Sequence, residues 1–381
     1  MKKILFIGNI SGKKMTGSFS GAAIQAAHSL GFDFHSVANR DKTTKEQMLL
    51  DQKQFGITMH HADISRSPLS RKNIKAFKQI VKIIKENDID YIHCNTPTGG
   101  ILGRLAGKKC KVKKVIYQVH GFHFYKGAPK KNWRVYYPVE KWLARYTDAL
   151  VTINQEDYAF ASDNLKFRND GKVYYVHGVG INTALYKPEK ETRSVKRSEL
   201  GLSEDDFVLI SAGELNTNKN NRVIISALEQ LKRNDIHYVL CGVGESEAEL
   251  KKQVEKAGLQ DNVHFLGYRT DVKELYQMAD CFVMPSIREG LSRSIMEAMS
   301  SGLPCIVSKI RGNVDLIDDG NGGYLCDTHD VSAYAEKLDI LASDPELKKK
   351  MGEYNLVAVQ NFSTETVKKE IQEIYAAEFK E

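Results

Sequence analysis

The chain has 381 residues, of which 42% are hydrophobic and 27% charged, and its formal net charge is +7. This composition excludes a disordered or low-complexity chain, and the length favours two domains of ordinary size. No window approaches the roughly 20 apolar residues that a bilayer span needs. The apolar run after Met1 is too short for a signal peptide, and the six cysteines form no Cys-x-x-Cys pair. We therefore expect a cytoplasmic protein with reduced cysteines.

Short apolar or β-branched runs alternate with helical spacing along the whole chain. Ten runs predict buried strands, at residues 4–7, 91–94, 115–120, 149–153, 173–176, 207–212, 238–241, 263–266, 281–284 and 305–307. Helical patterns lie between them, such as the apolar spacing of Ile74, Phe77, Val81 and Ile84. The repeated order of strand, helix and strand predicts parallel sheets with helices on both faces.

This pattern occurs twice, so the predicted fold class is α/β, with two Rossmann-like doubly wound domains that face each other across a cleft. Between residues 178 and about 202 the chain loses its periodicity and carries Pro188 among mixed charges, which predicts a linker. The predicted domains are therefore residues 1–185 and 186–362. In open α/β sheets the ligand lies beyond the carboxyl ends of the strands, which places a substrate in the cleft.

Gly17 and Gly21 follow the first predicted strand. Their spacing does not fit a dinucleotide-binding fingerprint, but a glycine-rich turn lets a substrate approach the backbone. We therefore expect both to contribute to acceptor binding. Two other motifs are decoys. The sequence Asp88-Ile89-Asp90 fits a metal-binding pattern but leads into a buried strand, and Gly242-Val243-Gly244 lacks the third glycine of a fingerprint. No metal site is expected.

The segment from Leu102 to Tyr146 carries a dozen Lys and Arg residues against one acid, Glu140. Within it, His120-Gly121 ends a strand and opens a loop dense in aromatics and cations, among them Tyr125 and Lys126. Such a segment suits an anionic membrane surface and a phosphate-bearing acceptor. It would also suit a single-stranded nucleic acid.

Four apolar residues of this segment, Val135, Val139, Trp142 and Leu143, are interpreted as core positions of a helix. An earlier predicted helix, residues 71–85, carries basic residues opposite its apolar stripe. A basic amphipathic helix can lie on an anionic surface, and a solvated face explains the same pattern equally well.

Residues 284–299 predict a strand, a tight turn and then a helix. The N–H groups of Gly290, Leu291 and Ser292 would lie at the helix start, where backbone donors suit an anionic diphosphate. Arg288 adds a fork of donors nearby.

Glu289 precedes this helix and Glu297 lies eight positions further on, so that two helical turns separate them and both can face one cleft. Carboxylates at these positions could accept hydrogen bonds from sugar and ribose hydroxyls. For an isolated pair, a solvated helix residue and an N-terminal cap are the simpler explanation.

Lys219 lies in a polar loop, residues 213–220, which follows a predicted strand and precedes an apolar helix. A lysine in this position could neutralise a leaving diphosphate as a glycosidic bond breaks. Taken alone, it is more simply explained as an ordinary loop lysine.

Together these segments resemble the retaining glycosyltransferases of family 4, which have the GT-B fold, and the similarity runs over nearly the whole chain. The Glu-x7-Glu motif of that family matches Glu289 and Glu297, its phosphate-binding Lys matches Lys219, and its His-Gly turn matches His120-Gly121. More narrowly, the chain looks like the EpsD-type exopolysaccharide enzymes in residues 120–124, 126–129, 136–142, 154–158 and 286–291.

The resemblance implies transfer with retention, without metal or cofactor, from a nucleotide-sugar donor that is expected to be a UDP-sugar. The acceptor would be a polyprenyl diphosphate-linked oligosaccharide or a polysaccharide, in exopolysaccharide or capsule synthesis. Residues 186–362 would hold the donor, residues 1–185 the acceptor, and the last helix, 363–381, would cross back onto the first domain. The enzyme would work at the inner face of the cell membrane, with no nucleic acid partner.

The resemblance also implies roles for single residues. Lys219 and Arg288 would bind the diphosphate, while Glu289 and the amides of residues 290–292 would hold the sugar. Glu297 would hold the ribose, and Tyr268-Arg269 would lie near the base. The catalytic residues would be Glu289 and His120, which would reach the sugar from the first domain.

One position departs from the family pattern. Many members carry an Arg before the phosphate-binding Lys, where this chain has Glu214. A carboxylate beside a diphosphate is unfavourable, so either Glu214 points away or Arg288 takes over the positive charge. We favour the second explanation.

Three other functions remain open from the sequence. A nucleotide-sugar epimerase of the same fold would need no acceptor and no basic aromatic loop. A nucleic-acid-binding protein would explain the basic segment and would show salt-sensitive binding to oligonucleotides. The third is an inactive scaffold of a polysaccharide complex, against which the intact Lys219, Glu289 and Glu297 argue.

Overall fold

The computed structural model describes residues 1–8, 15 and 20–379. Its contacts divide the chain into two compact units, one formed by Met1–Gly180 with Thr364–Glu381 and the other by Ile181–Ser363. The chain passes from one unit to the other after Gly180 and after Ser363, whereas the predicted boundaries follow residues 185 and 362. No helix in the described part of the chain has the length and apolar character needed to cross a membrane.

The first unit contains a parallel sheet of seven strands in the order β3-β2-β1-β4-β5-β6-β7. Its strands are β1 (Lys3–Ile7), β2 (Asp33–Ala38), β3 (Thr58–His61), β4 (Tyr91–Asn95), β5 (Lys114–Gln118), β6 (Ala149–Thr152) and β7 (Lys172–Tyr175). Its helices are α1 (Gly21–Ser29), α2 (Lys45–Phe55), α3 (Lys72–Glu86), α4 (Pro97–Cys110), α5 (Lys130–Ala144), α6 (Gln155–Asn164) and, from the end of the chain, α14 (Thr364–Glu378).

The second unit contains a parallel sheet of six strands in the order β10-β9-β8-β11-β12-β13. Its strands are β8 (Phe207–Ala212), β9 (Ile236–Cys241), β10 (Val263–Gly267), β11 (Cys281–Met284), β12 (Cys305–Ser308) and β13 (Gly323–Cys326). Its helices are α7 (Lys190–Glu199), α8 (Arg222–Leu231), α9 (Glu247–Ala257), α10 (Val272–Met278), α11 (Arg293–Ser300), α12 (Val331–Ser343) and α13 (Pro345–Ala358).

Both strand orders are those of a Rossmann-like, doubly wound sheet, which confirms the predicted fold class. All ten predicted strands are present, although β5 ends at Gln118 and leaves Val119 and His120 in the following loop. Three strands were missed. β2 and β3 carry histidines in place of an apolar run, and β13 is a four-residue edge strand. Composition conceals such strands, because pairing with neighbours and not hydrophobicity alone stabilises them.

The linker predicted between residues 178 and about 202 is wrong, because part of this stretch forms α7 and belongs to the second unit. An arginine fixes this helix, which has few apolar residues. Arg197 is buried, and its guanidinium donates to the Asp280 carboxylate at 2.6 Å and to the carbonyl oxygens of Ser203 and Met278. Because a buried, hydrogen-bonded charge anchors this helix in place of an apolar stripe, its sequence shows no apolar periodicity.

The C-terminal helix α14 packs within the first unit. Tyr375 donates or accepts a hydrogen bond of 2.6 Å with Nδ1 of the buried His93, and Glu378 accepts one of 2.7 Å from the Tyr174 hydroxyl. Burial lowers the pKa of His93 to about 3, so this imidazole is neutral at physiological pH. The end of the chain therefore completes the core of the unit in which the chain begins.

Gly242 and Gly244 are explained by close packing of two backbone segments after β8 and β9. A Cβ atom on Gly242 would lie 1.8 Å from the Gly213 carbonyl oxygen, and one on Gly244 would lie 2.2 Å from that of Leu215. Only glycine allows backbones to approach so closely. These glycines therefore hold in place the loop that carries Lys219.

We predict that Gly242→Ala lowers the free energy of unfolding by about 3 kcal/mol, because the added methyl group forces the two loops apart. The matched control is Gly258→Ala, at a C-cap with φ 68° and no atom within 4 Å of the added carbon. That change should cost only about 1 kcal/mol, from backbone strain alone. Urea denaturation of both variants measures the difference, and equal losses would contradict the steric explanation.

Candidate functional site

The candidate site of the second unit lies at the carboxyl ends of β8 and β11. These strands pair directly in the sheet, with Leu209 opposite Cys281, although β9 and β10 lie between them in the sequence. Such a reversal of strand order is the point where doubly wound sheets bind ligands. The loops that follow the two strands are bonded to each other, since the amide of Ile287 donates to the Asn218 carbonyl at 2.8 Å. Asn218 in turn donates from its side chain to the Arg288 carbonyl at 3.0 Å.

Lys219 and Glu289 form an ion pair at this position. The Lys219 Nζ lies 2.8 Å from Oε1 of Glu289 and 3.8 Å from Sδ of Met284. Both side chains are partly buried, so water screens the pair less than it would on an open surface. The structure thus brings together two residues that the sequence analysis assigned to one site from separate motifs.

The helix start that we predict to bind an anion is the turn of residues Gly290 to Ser292, which precedes α11. Ser292 caps the helix, because its hydroxyl accepts from the Ile295 amide. Within the described residues, no backbone hydrogen bond uses the amides of Gly290, Leu291 or Ser292. Leu291 is partly buried against the core of the unit. The turn therefore combines an anchored backbone with N–H donors at a helix N-terminus, where anions bind favourably.

Two residues that the sequence analysis missed fix this turn from the loop after β12. A Cβ atom on Gly312 would lie 2.3 Å from the Gly290 carbonyl oxygen, so the two backbones are in contact. The buried Arg311 donates from Nε to the Glu289 carbonyl at 3.3 Å. The signal that could have indicated them is their position after the third neighbouring strand of the same sheet.

Glu297 lies on α11, and other partners hold its carboxylate. Arg293 donates to Oε1 at 2.8 Å and the Tyr276 hydroxyl to Oε2 at 3.4 Å. Burial and the nearby Glu297 carboxylate raise the pKa of Tyr186 to about 12, so this phenol remains a neutral donor. In the described part of the chain, no hydrogen bond joins Glu297 to Lys219 or Glu289. Its proposed contact with a ribose therefore rests on the resemblance.

Glu214 stands where many members of the family carry an arginine. Glu214 is exposed and accepts a hydrogen bond of 3.0 Å from Asn216 of its own loop, not from Lys219. Arg288 is also exposed, and its guanidinium makes no hydrogen bond to the described residues. Arg288 is therefore available to an anion in a way that a paired arginine would not be.

The two residues predicted near the base differ from each other. Tyr268 is highly exposed. Arg269 donates twice to the Asp271 carboxylate, at 2.7 and 2.5 Å. Those hydrogen bonds, opposed by partial burial and reinforced by Lys196, lower the pKa of Asp271. Arg269 is thus engaged in a local ion pair.

In the first unit, the residue predicted to be catalytic lies beyond β5 and is held by the last residue of the neighbouring strand β4. Nε2 of His120 donates to Oδ1 of the fully buried Asn95 at 2.9 Å. Burial lowers the pKa of His120 to about 4, so that the imidazole is neutral at physiological pH. Asn95 carried no signal in the sequence beyond its place at a strand end.

The residues predicted to bind acceptor are placed as follows. Lys126 is exposed and its amide donates to Glu156 at 2.7 Å, while Tyr125 is partly buried. Gly21 begins α1, and a Cβ atom there would meet nothing within 4 Å. Gly17 lies outside the described residues. Their roles toward an acceptor stay predictions.

The interpretation of the aromatic segment as core is wrong for three of four residues. Leu143 is buried, but Val135, Val139 and Trp142 are 50%, 39% and 45% exposed. Their spacing of four and three places them on one partly exposed face of α5, which we call the α5 stripe. Spacing alone gives an apolar face of a helix but does not say whether that face is covered.

The decoy Asp88-Ile89-Asp90 has a structural role. The Asp90 carboxylate accepts from the Lys3 amide at 3.0 Å and pairs with Lys113 at 2.9 Å. It therefore joins β1 to the start of β4 and does not face an open site.

Family models match most of the chain. Residues 3–154 match the model described as Glycosyl transferase 4-like, and residues 192–356 match that described as Glycosyl transferases group 1. A crystal structure of Anabaena Alr3699/HepE in complex with UDP superposes with a TM-score of 0.79 at 23% identity, covering 99% of this chain and 100% of that one. The fold is therefore that of the GT-B class.

Relatives of known sequence give the family directly. The protein named "Putative glycosyltransferase EpsD" from Bacillus subtilis (strain 168) is 40% identical over 91% of this chain and 90% of its own length. A UDP-Gal:alpha-D-GlcNAc-diphosphoundecaprenol alpha-1,3-galactosyltransferase from Escherichia coli is 30% identical over 72% of each chain. This chain belongs to the group 1 and 4-like glycosyltransferase family, and the resemblance to EpsD-type enzymes is confirmed.

The lowered pKa of His120 predicts a pH-dependent stability. Between about pH 6.5 and 4 the unfolded state binds a proton at this residue that the folded state does not, so stability falls as the pH falls. We expect wild-type protein to lose about 2 kcal/mol more than His120→Asn between pH 7 and pH 4.5. Urea unfolding at both pH values measures this, with the exposed His28 replaced in the same way as the control. Parallel losses in wild type and His120→Asn would show that His120 does not cause the effect.

Proposed function

We propose that this chain is a retaining glycosyltransferase that moves a sugar from a UDP-sugar onto a lipid-linked or polysaccharide acceptor in exopolysaccharide or capsule synthesis. The observation that carries the proposal is the ion pair of Lys219 and Glu289 at the adjacent carboxyl ends of β8 and β11. In this proposal Lys219 is the cation that binds the diphosphate and Glu289 accepts hydrogen bonds from sugar hydroxyls, which their separation of 2.8 Å supports.

The proposed reaction uses these groups in turn. On donor binding, Lys219 exchanges its Glu289 partner for the diphosphate, and Glu289 then accepts a hydrogen bond from the transferred sugar. As the bond between the sugar and the diphosphate breaks, an acceptor hydroxyl forms the new glycosidic bond and passes its proton to the leaving diphosphate. The negative charge that grows on the diphosphate is stabilised by Lys219, Arg288 and the helix N-terminus at Gly290. These positive groups supply what a metal ion could otherwise supply, so the proposal includes no metal.

Comparison with relatives supports the choice of substrates. The Anabaena structure holds UDP, and the E. coli relative is named for a UDP-Gal donor and a diphosphoundecaprenol-linked acceptor. We propose the same classes for this chain, a UDP-sugar and a polyprenyl diphosphate-linked sugar. Such an acceptor lies in a membrane, which fits a cytoplasmic enzyme associated with the inner face of the cell membrane.

The α5 stripe supports this association. Its three apolar side chains are exposed, the exposed cations Lys131, Arg134 and Lys141 lie on the same helix, and the exposed Arg145 caps its C-terminus. A helix with an exposed apolar face and basic flanks binds the interface of an anionic membrane.

We predict that Lys219→Ala lowers kcat/KM for the nucleotide-sugar donor by about 10²–10³-fold, because an electrostatic contact to the leaving group is lost. The measurement is release of nucleoside diphosphate from a panel of nucleotide sugars, with and without membrane extract as the acceptor source. Lys252→Ala, an exposed lysine on α9, is the control and should behave as wild type. Activity of Lys219→Ala within threefold of wild type would remove the basis of the proposal. Donor converted without any acceptor would indicate an epimerase.

The substitute role of Arg288 gives a second test. We predict that Arg288→Ala weakens UDP binding about tenfold, the effect of losing one charge-assisted contact of about 1.5 kcal/mol. Adding Glu214→Arg to this variant restores the family pattern at residue 214 and should recover most of the affinity. Titration calorimetry with UDP measures both. An Arg288→Ala protein with unchanged UDP affinity would refute the hypothesis that Arg288 takes over the charge of the family arginine.

A further inference from the structure

A cavity of about 530 Å³ lies in the first unit and includes His120 among its walls. Its size is within the range of small-molecule pockets, roughly 300–1,000 Å³. The buried part of its wall is aromatic and aliphatic, with Tyr117, Val119, Phe122 and Phe124. Its exposed part is formed by the two segments described below. The cavity is therefore apolar inside and open to the surface.

The single carboxylate in the cavity wall is neutralised. Both oxygens of Glu140 accept hydrogen bonds from the buried Arg104, at 2.7 and 3.2 Å. The Arg104 guanidinium also lies over the Tyr117 ring, 4.0 Å from its centroid. His120 is neutral at physiological pH because burial lowers its pKa. The carboxylate of the wall is thus paired, and the buried aromatic and aliphatic side chains around it favour an apolar occupant over an ionic one.

The edge of the cavity is formed by exposed apolar side chains that have cations near them in the sequence. Leu69, which is 95% exposed, forms one side, and Val135 and Val139 of the α5 stripe form the other. Exposed cations flank both sides in sequence, namely Arg66 and Arg71 on the first and Lys131, Arg134 and Lys141 on the second. Apart from the paired Glu140, neither segment, 66–71 nor 129–145, contains an acid. The edge therefore attracts anions.

We propose that this cavity binds the isoprenoid chain next to the diphosphate of a lipid-linked acceptor, and that the cations at its edge bind the diphosphate. An uncharged apolar cavity with a cationic edge complements an apolar chain that ends in a highly charged anion. The cavity includes His120, which the resemblance implies is catalytic, so we assign the cavity to the lipid-linked acceptor of the reaction and not to a lipid of the bulk membrane. The inference rests on the proposed function for this choice of occupant.

Binding to the full-length protein tests the inference with three probes measured by titration calorimetry. Farnesyl diphosphate carries the head and chain, inorganic pyrophosphate carries the head alone, and n-dodecyl diphosphate carries the same head on an unbranched chain. We expect farnesyl diphosphate to bind at least tenfold more tightly than either of the other two.

Variants at the exposed edge locate the site without disturbing the fold. Leu69→Ser combined with Val139→Ser should weaken farnesyl diphosphate binding at least tenfold and leave pyrophosphate binding unchanged. Leu49→Ser, at a leucine of α2 that is 66% exposed, is the matched control and should bind as wild type. Equal binding of farnesyl diphosphate to the double variant and to wild type would overturn the assignment. Equal affinity of the wild-type protein for pyrophosphate and farnesyl diphosphate would overturn it as well. Binding of n-dodecyl diphosphate as tight as that of farnesyl diphosphate would overturn the choice of an isoprenoid and indicate a general alkyl-chain site.

Release of nucleoside diphosphate from nucleotide sugars by the wild-type protein separates this inference from the proposed function. A protein that binds farnesyl diphosphate selectively but turns over no donor keeps the chain site and loses the proposed activity. A protein that turns over a donor but shows no preference among the three probes keeps the activity and loses the chain site.

Discussion

The order of strands in the two parallel sheets is the constraint on which the candidate sites depend. Because β8 pairs with β11, the loops that follow these strands meet, and Lys219 and Glu289 form an ion pair although 70 residues separate them. In the first unit, β4 pairs with β5 and Asn95 meets His120 in the same way. In each case the chemistry comes from short loops, and the sheet fixes which loops are neighbours. Parallel sheets place all carboxyl ends at one edge, so functional groups collect there.

The fold could be predicted from the sequence wherever burial is achieved by apolar side chains. Inner strands of both sheets, such as β1 in the first and β8 in the second, are rich in apolar residues because helices cover both faces. The prediction failed where buried polar groups anchor an element in place of apolar side chains. The helix α7 is held by the buried Arg197 and Asp280, whose hydrogen bonds come from residues far apart in sequence. Such a pair becomes visible only when its two members are known to be neighbours.

The candidate site divides in the same way. Glu289, Glu297 and Lys219 could be named because each occupies a recognisable place after a strand or within a helix. Arg311 could not, because it contributes to the Glu289 turn from the loop of another strand. The α5 stripe shows the converse error, since its spacing correctly indicated a helical face but not whether that face is covered. A periodic pattern reports the geometry of one segment, whereas burial depends on what packs against it.

The ion pair of Lys219 and Glu289 is better explained by the proposed function than by stability. A partly buried pair gains little over well-packed apolar side chains, because removing two charges from water offsets their attraction. The pair does keep each charge satisfied while it holds both groups at one strand edge. An anion that displaces Glu289 must attract Lys219 more strongly than one carboxylate does, and a diphosphate, with more than one negative charge, meets this condition where a singly charged anion does not. With Arg288 exposed beside it and backbone donors at Gly290, the site then has more positive partners for a diphosphate than the paired state can offer to Glu289. In the proposed function, the exchange itself therefore discriminates the donor from smaller anions before any sugar contact is made.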